Sequence, residues 1–269
     1  MVQAARPGGV PSAPVRLSPP AATPDSLERT KRLFKRAPRL YRFIVRVLSP
    51  VLPISNDLPR EVLSGLPSGA LVLNLGSGPV PLHPVFVDVD AHPYPNVRVV
   101  SDCARLPFND GAADAMVSIA LLEHVEDPWR VVAEMRRVLK PGGRLYVYVP
   151  FICGYHAAPA DFHRWTRSGA ERLFKGFDVL ETRSAGPTSG FLWVLVEWLA
   201  ILLSFGSRKL YVAWLIALML STWPIKYLDL VLRRHPMSDR ISTGFLYVLK
   251  SSSDDVAKAE LAATVHSAT

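Results

Sequence analysis

The chain of 269 residues is basic, with 31 Lys and Arg against 23 Asp and Glu, but eight of those cations and no acid lie between Arg29 and Arg46. Without that segment the two signs balance, which argues against a protein that binds nucleic acid across its whole face. Two cysteines, Cys103 and Cys153, are too few for a disulfide framework and lack metal-type spacing, so a reducing, cytoplasmic setting is expected.

Residues 1–25 are rich in Pro, Ala and Ser without an apolar core, and read as a disordered tail rather than a secretory signal. Residues 26–50 read as basic amphipathic helices, with Ser26 as a cap, Pro38 opening the second helix and Pro50 stopping it. Apolar residues on one side and arginines on the rest suit an anionic membrane surface.

A catalytic domain is expected over 60–250. Leu71–Leu75 reads as a buried strand running into Gly76-Ser77-Gly78, and Val85–Val89 as a second ending among Asp88 and Asp90. Further strands are expected at Val97–Val100, Ala115–Ala120, Arg144–Val149, Phe177–Thr182 and Ser242–Leu249, with helices after Asp127-Pro128 and over Thr166–Lys175. The pattern predicts an α/β, Rossmann-like, mostly parallel seven-stranded sheet. Pro79, Pro81 and Pro84 crowd the first connection, and Pro93 and Pro95 the second. Parallel strands normally need a helical crossover, so these two are predicted to be reduced to loops, leaving part of one face uncovered.

Two strongly apolar segments, Phe191–Ser204 and Leu210–Trp223, form an inserted helical hairpin within 190–235. At about 14 residues each they fall short of the roughly 20 that span a bilayer, and Arg208 and Lys209 at the tip oppose crossing. The hairpin is expected either to dip into one leaflet or to cover the bare sheet face. Residues 251–269 read as a polar, disordered tail.

Glycines let a ligand approach the backbone, and an acid ending the next strand can accept two ribose hydroxyls. Pro81 stands where a dinucleotide fingerprint wants its third glycine, and no Gly-Lys-Ser/Thr phosphate loop is present. What remains is a nucleoside ligand without a pyrophosphate, a description that S-adenosylmethionine meets.

Five ordered motifs then carry a resemblance: Leu73–Gly78, Val87-Asp88, Ser101–Phe108, Leu121–Val125 and Arg137–Gly143. Together they resemble class I S-adenosylmethionine-dependent methyltransferases, nearest to the broad type 11 group, over about residues 70–185. The tract Pro150–His156 with Asp161–Thr166 resembles a subgroup with proline-rich short connections. The resemblance implies that Gly76, Ser77 and Gly78 border the methionine moiety, with Asn74 as a polar link to its amino group. It implies that Asp88 holds the ribose, with Asp90 as competitor, and that Asp102 with the backbone of Cys103 recognises adenine.

Methyl transfer to a hydroxyl benefits from a general base beyond the carboxyl ends of the strands. Candidates are Glu123 and His124 after strand four, and His156, Asp161 and His163 after strand five, with His156 the first choice. His156, Asp161 and His163 match metal-ligand types but show no recognisable spacing, so no metal site is expected. Arg164 is a candidate for an acidic acceptor. The expected function is O-methylation of a small-molecule or lipid-linked (glyco)lipid-type acceptor at the inner membrane face. The alternative is a non-catalytic membrane-associated adaptor retaining the fold.

Overall fold

Seven short apolar runs pair into one sheet in the order β3-β2-β1-β4-β5-β7-β6. The strands are β1 (Val72–Leu75), β2 (Val87–Asp90), β3 (Val99–Val100), β4 (Ala113–Ile119), β5 (Leu139–Pro150), β6 (Phe177–Ser184) and β7 (Gly244–Ser251). The computed structural model describes residues 51–52, 57–157 and 160–252. The basic helices expected over 26–50, the tail over 1–25 and most of the tail over 251–269 lie outside these residues, while Ser251 closes β7. β1 to β5 run parallel, and β7 is antiparallel to both neighbours. The chain order reverses at β1, between β2 and β4, the place where ligands settle in open α/β sheets.

Alternation along the strands divides the core. On β4, Met116 faces one apolar cluster while Ala115 and Val117 face the other. The first cluster takes in helix α2 (Pro128–Val138) through Val131, Val132, Met135 and Val138, and helix α3 (Arg167–Leu173) through Ala170 and Leu173. Helix α2 begins as its sequence predicts: Asp127 Oδ1 accepts the Arg130 amide at 3.1 Å and Pro128 fills the first position. The second face is covered among the described residues by the short helix α1 (Leu58–Leu63), whose Leu58 and Val62 meet Val72, Phe86, Val117, Tyr146 and Leu246.

No helix joins β1 to β2 or β2 to β3, as the prolines require. Most strand starts fall within two residues of expectation, and the largest difference is at β5. β5 opens at Leu139, immediately after α2, because Ala113 already pairs with Leu139 before the register jumps to Ala115 opposite Arg144. Lys140–Gly143 is thus an irregularity inside a strand edge rather than a stop before it.

The apolar insertion forms helices α4 (Pro187–Leu203) and α5 (Arg208–Thr222). Two expectations about it are corrected. The helical run from Arg208 continues through the one-turn helix α6 (Asp229–Leu232), giving 25 residues, long enough by length and composition to cross a membrane. Pro224 does not end it, because proline is tolerated in the first turn of the 3-10 segment Trp223–Leu228. Nor does the hairpin cover the sheet. Its helices pack on one another and on the segment that follows, and contribute no residue to either core cluster.

Asp229 anchors the base of the hairpin. Fully buried, it accepts the Thr188 and Ser189 amides at 2.8 and 2.7 Å and the Ser189 hydroxyl at 2.6 Å. These are first-turn donors of α4 that no helix can satisfy internally.

Candidate functional site

The carboxyl ends of β1 to β5 place their loops along one edge. After β1, Gly76 and Gly78 adopt φ of 66° and 61°, a left-handed region costly for other residues. The Gly76 and Ser77 amides donate to Val89 O at 2.9 and 3.2 Å, which folds the loop back over β2. A Cβ on Gly76 would stand 2.8 Å from Leu121 Cδ1, whereas one on Gly78 would enter open space.

The two acids of β2 do different things. Asp88 is buried, with Oδ1 accepting Asn74 Nδ2 at 2.7 Å and Oδ2 accepting Asn96 Nδ2 at 2.9 Å. Asp90 stands at the strand end, where Oδ2 accepts the Gly78 amide at 2.8 Å and Oδ1 the His92 amide at 2.8 Å. Two residues of register separate them: Asp88 pairs with Asn74 inside the sheet, while Leu75 pairs with Val89 and leaves Asp90 level with the glycine loop. Asn96 carried no motif, yet its amide also reaches Gly78 O at 3.0 Å and ties Asp88 to the loop.

After β3, Asp102 is exposed and its Oδ1 accepts the Ala104 amide at 2.8 Å. Cys103 is buried beside Gly76, and that burial pushes its thiol up to about 12, partly offset by the Gly76 amide. Arg137 of α2 braces the segment beyond, donating to Leu106 O, Phe108 O and Asp110 while gripping Glu134. The loops after β1, β2 and β3 therefore lie together beside the open space at Gly78, with Asp90 bonded to Gly78, Cys103 against Gly76, and Asp102 next in the chain.

The loops after β4 and β5 build the neighbouring space. Ala120 leaves β4 at φ 54°, a strained value for a residue with a side chain, and turns the chain into Leu121 and the short turn Leu122–His124. Leu121 packs on Gly76, so the two spaces share a wall. Glu123 is completely buried, and both its carboxylate oxygens are without a hydrogen-bond partner. Burial pushes this carboxyl up to about 7, with its own amide and Arg164 pulling the other way. His124 Nε2 and His156 Nε2 each lie 3.9 Å from Glu123 Oε1. Burial lowers the His124 pKa, opposed by its contact with Ala160 O.

Asp161 and Arg164 shape this loop. Arg164 forks onto both Asp161 oxygens, and its remaining N–H groups go to the carbonyls of Cys153, Gly154 and His163. All five guanidinium donors are thus taken. This corrects the sequence reading of Arg164 as a recognition group for an acidic acceptor, since it holds the loop instead. Asp161 also accepts the His156 amide at 2.8 Å, and though burial pushes it up, these partners hold it below the usual carboxylate range. His163 does not join His156 and Asp161 as a ligand set, because its ring is drawn into contacts with Trp129, Phe162 and Trp165.

The hairpin touches this loop. Trp193 and Glu197 of α4 press on Gly154 so closely that a Cβ there would stand 2.7 Å from Trp193 Nε1. Glu197 in turn accepts the Tyr211 hydroxyl of α5 at 2.6 Å.

Comparison with known proteins fits this geometry. A family model described as a methyltransferase domain matches residues 80–147. An uncharacterised methyltransferase of Mycobacterium sp. (strain KMS) is 35% identical over 104 residues, covering 32% of this chain and 41% of that protein. A probable tRNA methyltransferase 9B of Mus musculus is 44% identical over 85 residues, 30% of this chain and 16% of that one. The chain thus spans less than half the length of these relatives. Among solved structures, phosphoethanolamine N-methyltransferase 2 of Haemonchus contortus, in complex with phosphomonomethylethanolamine and S-adenosylhomocysteine, shares the fold. It superposes with a TM-score of 0.50 at 14% identity, covering 84% of this chain and 58% of that one. Five ordered motifs, a reversal of strand order at the glycine loop and the family-model match converge: residues 80–147 match a methyltransferase domain, set in a sheet similar to those of S-adenosylmethionine-dependent methyltransferases.

Proposed function

We propose that this chain transfers the methyl group of S-adenosylmethionine to a hydroxyl of a lipid-linked or membrane-proximal acceptor. The observation that carries the reading is the shared wall between the two spaces, where Leu121 packs on Gly76 and leads within two residues to the buried Glu123. A cofactor on the glycine loop would present its methyl group toward the imidazoles.

In this reading Gly76, Ser77 and Gly78 admit the methionine moiety, and Asp102 with the Cys103 backbone faces adenine. Asp90, rather than Asp88, holds the ribose, because it stands at the strand end level with the glycine loop while Asp88 lies inside the sheet between Asn74 and Asn96. Asn74 consequently acts through Asp88, not on the cofactor's amino group. The acceptor oxygen attacks the methyl carbon in line. The C–O bond forms as the C–S bond breaks, sulfur keeps the electron pair, and S-adenosylhomocysteine leaves. The acceptor's proton passes to the Glu123–His124–His156 cluster, His156 being its most exposed member with a side chain 37% accessible.

Calorimetry with S-adenosylhomocysteine tests the cofactor half: one site per chain is expected, and Asp90→Ala should weaken it at least about tenfold, the worth of one charge-assisted hydrogen bond. Absence of binding to both S-adenosylmethionine and its product would overturn the reading.

The membrane half rests on the hairpin. Trp198, Ile201, Leu202 and Phe205 of its first helix and tip are more than half exposed, and only 11% of the most apolar window of the Arg208–Leu232 run is buried. A core helix would show the opposite. Contact of Trp193 with Gly154 supports an acceptor that arrives from this apolar surface. In vesicle flotation with anionic liposomes the chain should float, and the double substitution Trp198→Asp, Phe205→Asp should reduce the floating fraction several-fold. A double variant that floats as well as the parent would remove the hairpin from the membrane contact.

A further inference from the structure

Glu123, His124 and His156 each direct one ligand-type atom into a common space, all within 4.8 Å of one another. Their outward hydrogen bonds decide what the inward atoms carry. His124 Nδ1 lies 2.6 Å from Ala160 O, and a carbonyl only accepts, so Nδ1 holds the ring proton and Nε2 a lone pair. His156 Nδ1 lies 3.1 Å from Gly154 O, which assigns the same tautomer. Arg164 Nη2, 3.4 Å from that nitrogen, spends its hydrogens on Gly154 O and Asp161 at 2.9 and 2.6 Å. Both Nε2 lone pairs therefore face Glu123 Oε1, each at 3.9 Å.

Three acceptors thus converge with no donor among them, and one is a fully buried carboxylate whose two oxygens have no hydrogen-bond partner. Such a group is costly unless something positive meets it. A proton would not bridge it, because an N to O distance of 3.9 Å is beyond a hydrogen bond. A cation would serve all three atoms at once.

We propose that Glu123, His124 and His156 bind a divalent transition-metal ion. Two imidazoles and one carboxylate are the borderline donor set that suits zinc, iron(II) or manganese better than calcium or magnesium. Three protein ligands leave a position open, the pattern of catalytic rather than structural sites. Ligands about 2.1 Å from a tetrahedral ion stand roughly 3.4 Å apart, so the two pairs at 3.9 Å close by about 0.5 Å and no pair by more than about 1.4 Å. The carbonyls of Ala160 and Gly154 supply the outer hydrogen bonds that metal-bound imidazoles characteristically make. The exposed side of His156 marks the open position. There an acceptor oxygen would bind and its hydroxyl become more acidic, its proton leaving to water, since the three side chains that take it in the metal-free site would be occupied by the ion. That role, though not the binding, rests on the methyl-transfer reading above.

The test uses the full chain stripped of metal by a chelator and titrated with zinc, with bound metal counted after dialysis. One tight zinc per chain is expected, and the cobalt form should show the visible absorption of a low-coordinate site. His156→Gln and Glu123→Gln should each weaken zinc at least about tenfold, the lower end of what disturbing a metal site costs. The partly exposed position of His156 keeps its variant foldable should the buried Glu123 variant fail. A wild-type chain that takes up no zinc, or a His156→Gln variant that binds it as tightly as the parent, overturns the proposal. S-adenosylhomocysteine is titrated into the same metal-free preparation. Its binding without zinc uptake sinks the metal site alone, and zinc uptake without it sinks the methyl-transfer reading alone.

Discussion

Arg164→Met is expected to destabilise the chain by about 3 kcal/mol, because it strands a carboxylate that has been taken out of water. The Asp161 side chain is 1% exposed, and Arg164 meets both of its oxygens. Three backbone carbonyls, of Cys153, Gly154 and His163, lose their donor in the same step. Removing both charges together, as Arg164→Met with Asp161→Leu, should recover part of the loss, since an apolar pair need not be compensated. Urea denaturation of the parent and the two variants measures this, and equal stability of the single variant and the parent would mean the pair is solvated. Enzyme turnover should fall in both variants, because the His156 amide is held by the same Asp161 oxygen.

The second large effect is expected at the glycine loop, where two glycines of like conformation should answer differently. Gly76→Ala places a methyl group against Leu121 as well as straining the backbone, for a combined loss of about 3 kcal/mol. Gly78→Ala carries the backbone strain alone, about 1 kcal/mol, because its Cβ meets nothing within 4 Å. That open space is where a ligand would lie, so Gly78→Ala should still lower affinity for S-adenosylhomocysteine at least about tenfold. Thermal melts and calorimetry on the pair separate packing from ligand contact. If Gly78→Ala binds the ligand normally, the cradle lies elsewhere.

Much of the sheet is legible from local patterns. Apolar runs bounded by Gly, Pro and Asp mark all seven strands to within a few residues, and the prolines at positions 79, 81 and 84 foretell the absent crossover helix. Properties that depend on register or on backbone acceptors are not legible. Asp88 and Asp90 look alike in a run of alternating Val and Asp; only the pairing of Asn74 with Asp88 shows which one reaches the loop end. Arg164 reads as a free cation because three of its partners are carbonyls, which have no signature in the sequence. Glu123 is recognisable as a residue after a strand, but its burial without a hydrogen-bond partner is a property of the packed loops. The hairpin's second segment reads as ending at Trp223, where the apolar run stops, but the chain tightens there to a 3-10 turn and continues.

The position of β7 sets an order of events. It pairs with β5 and β6 on its two sides, yet the apolar hairpin precedes it in the chain. Strands β5 and β6 therefore have no shared neighbour until the hairpin has left the ribosome, and chains form their elements as they emerge. The most water-averse part of the molecule is made while the sheet is still open. A hairpin that met a bilayer at that moment would tether the unfinished domain there, and β7 would close the sheet only afterwards.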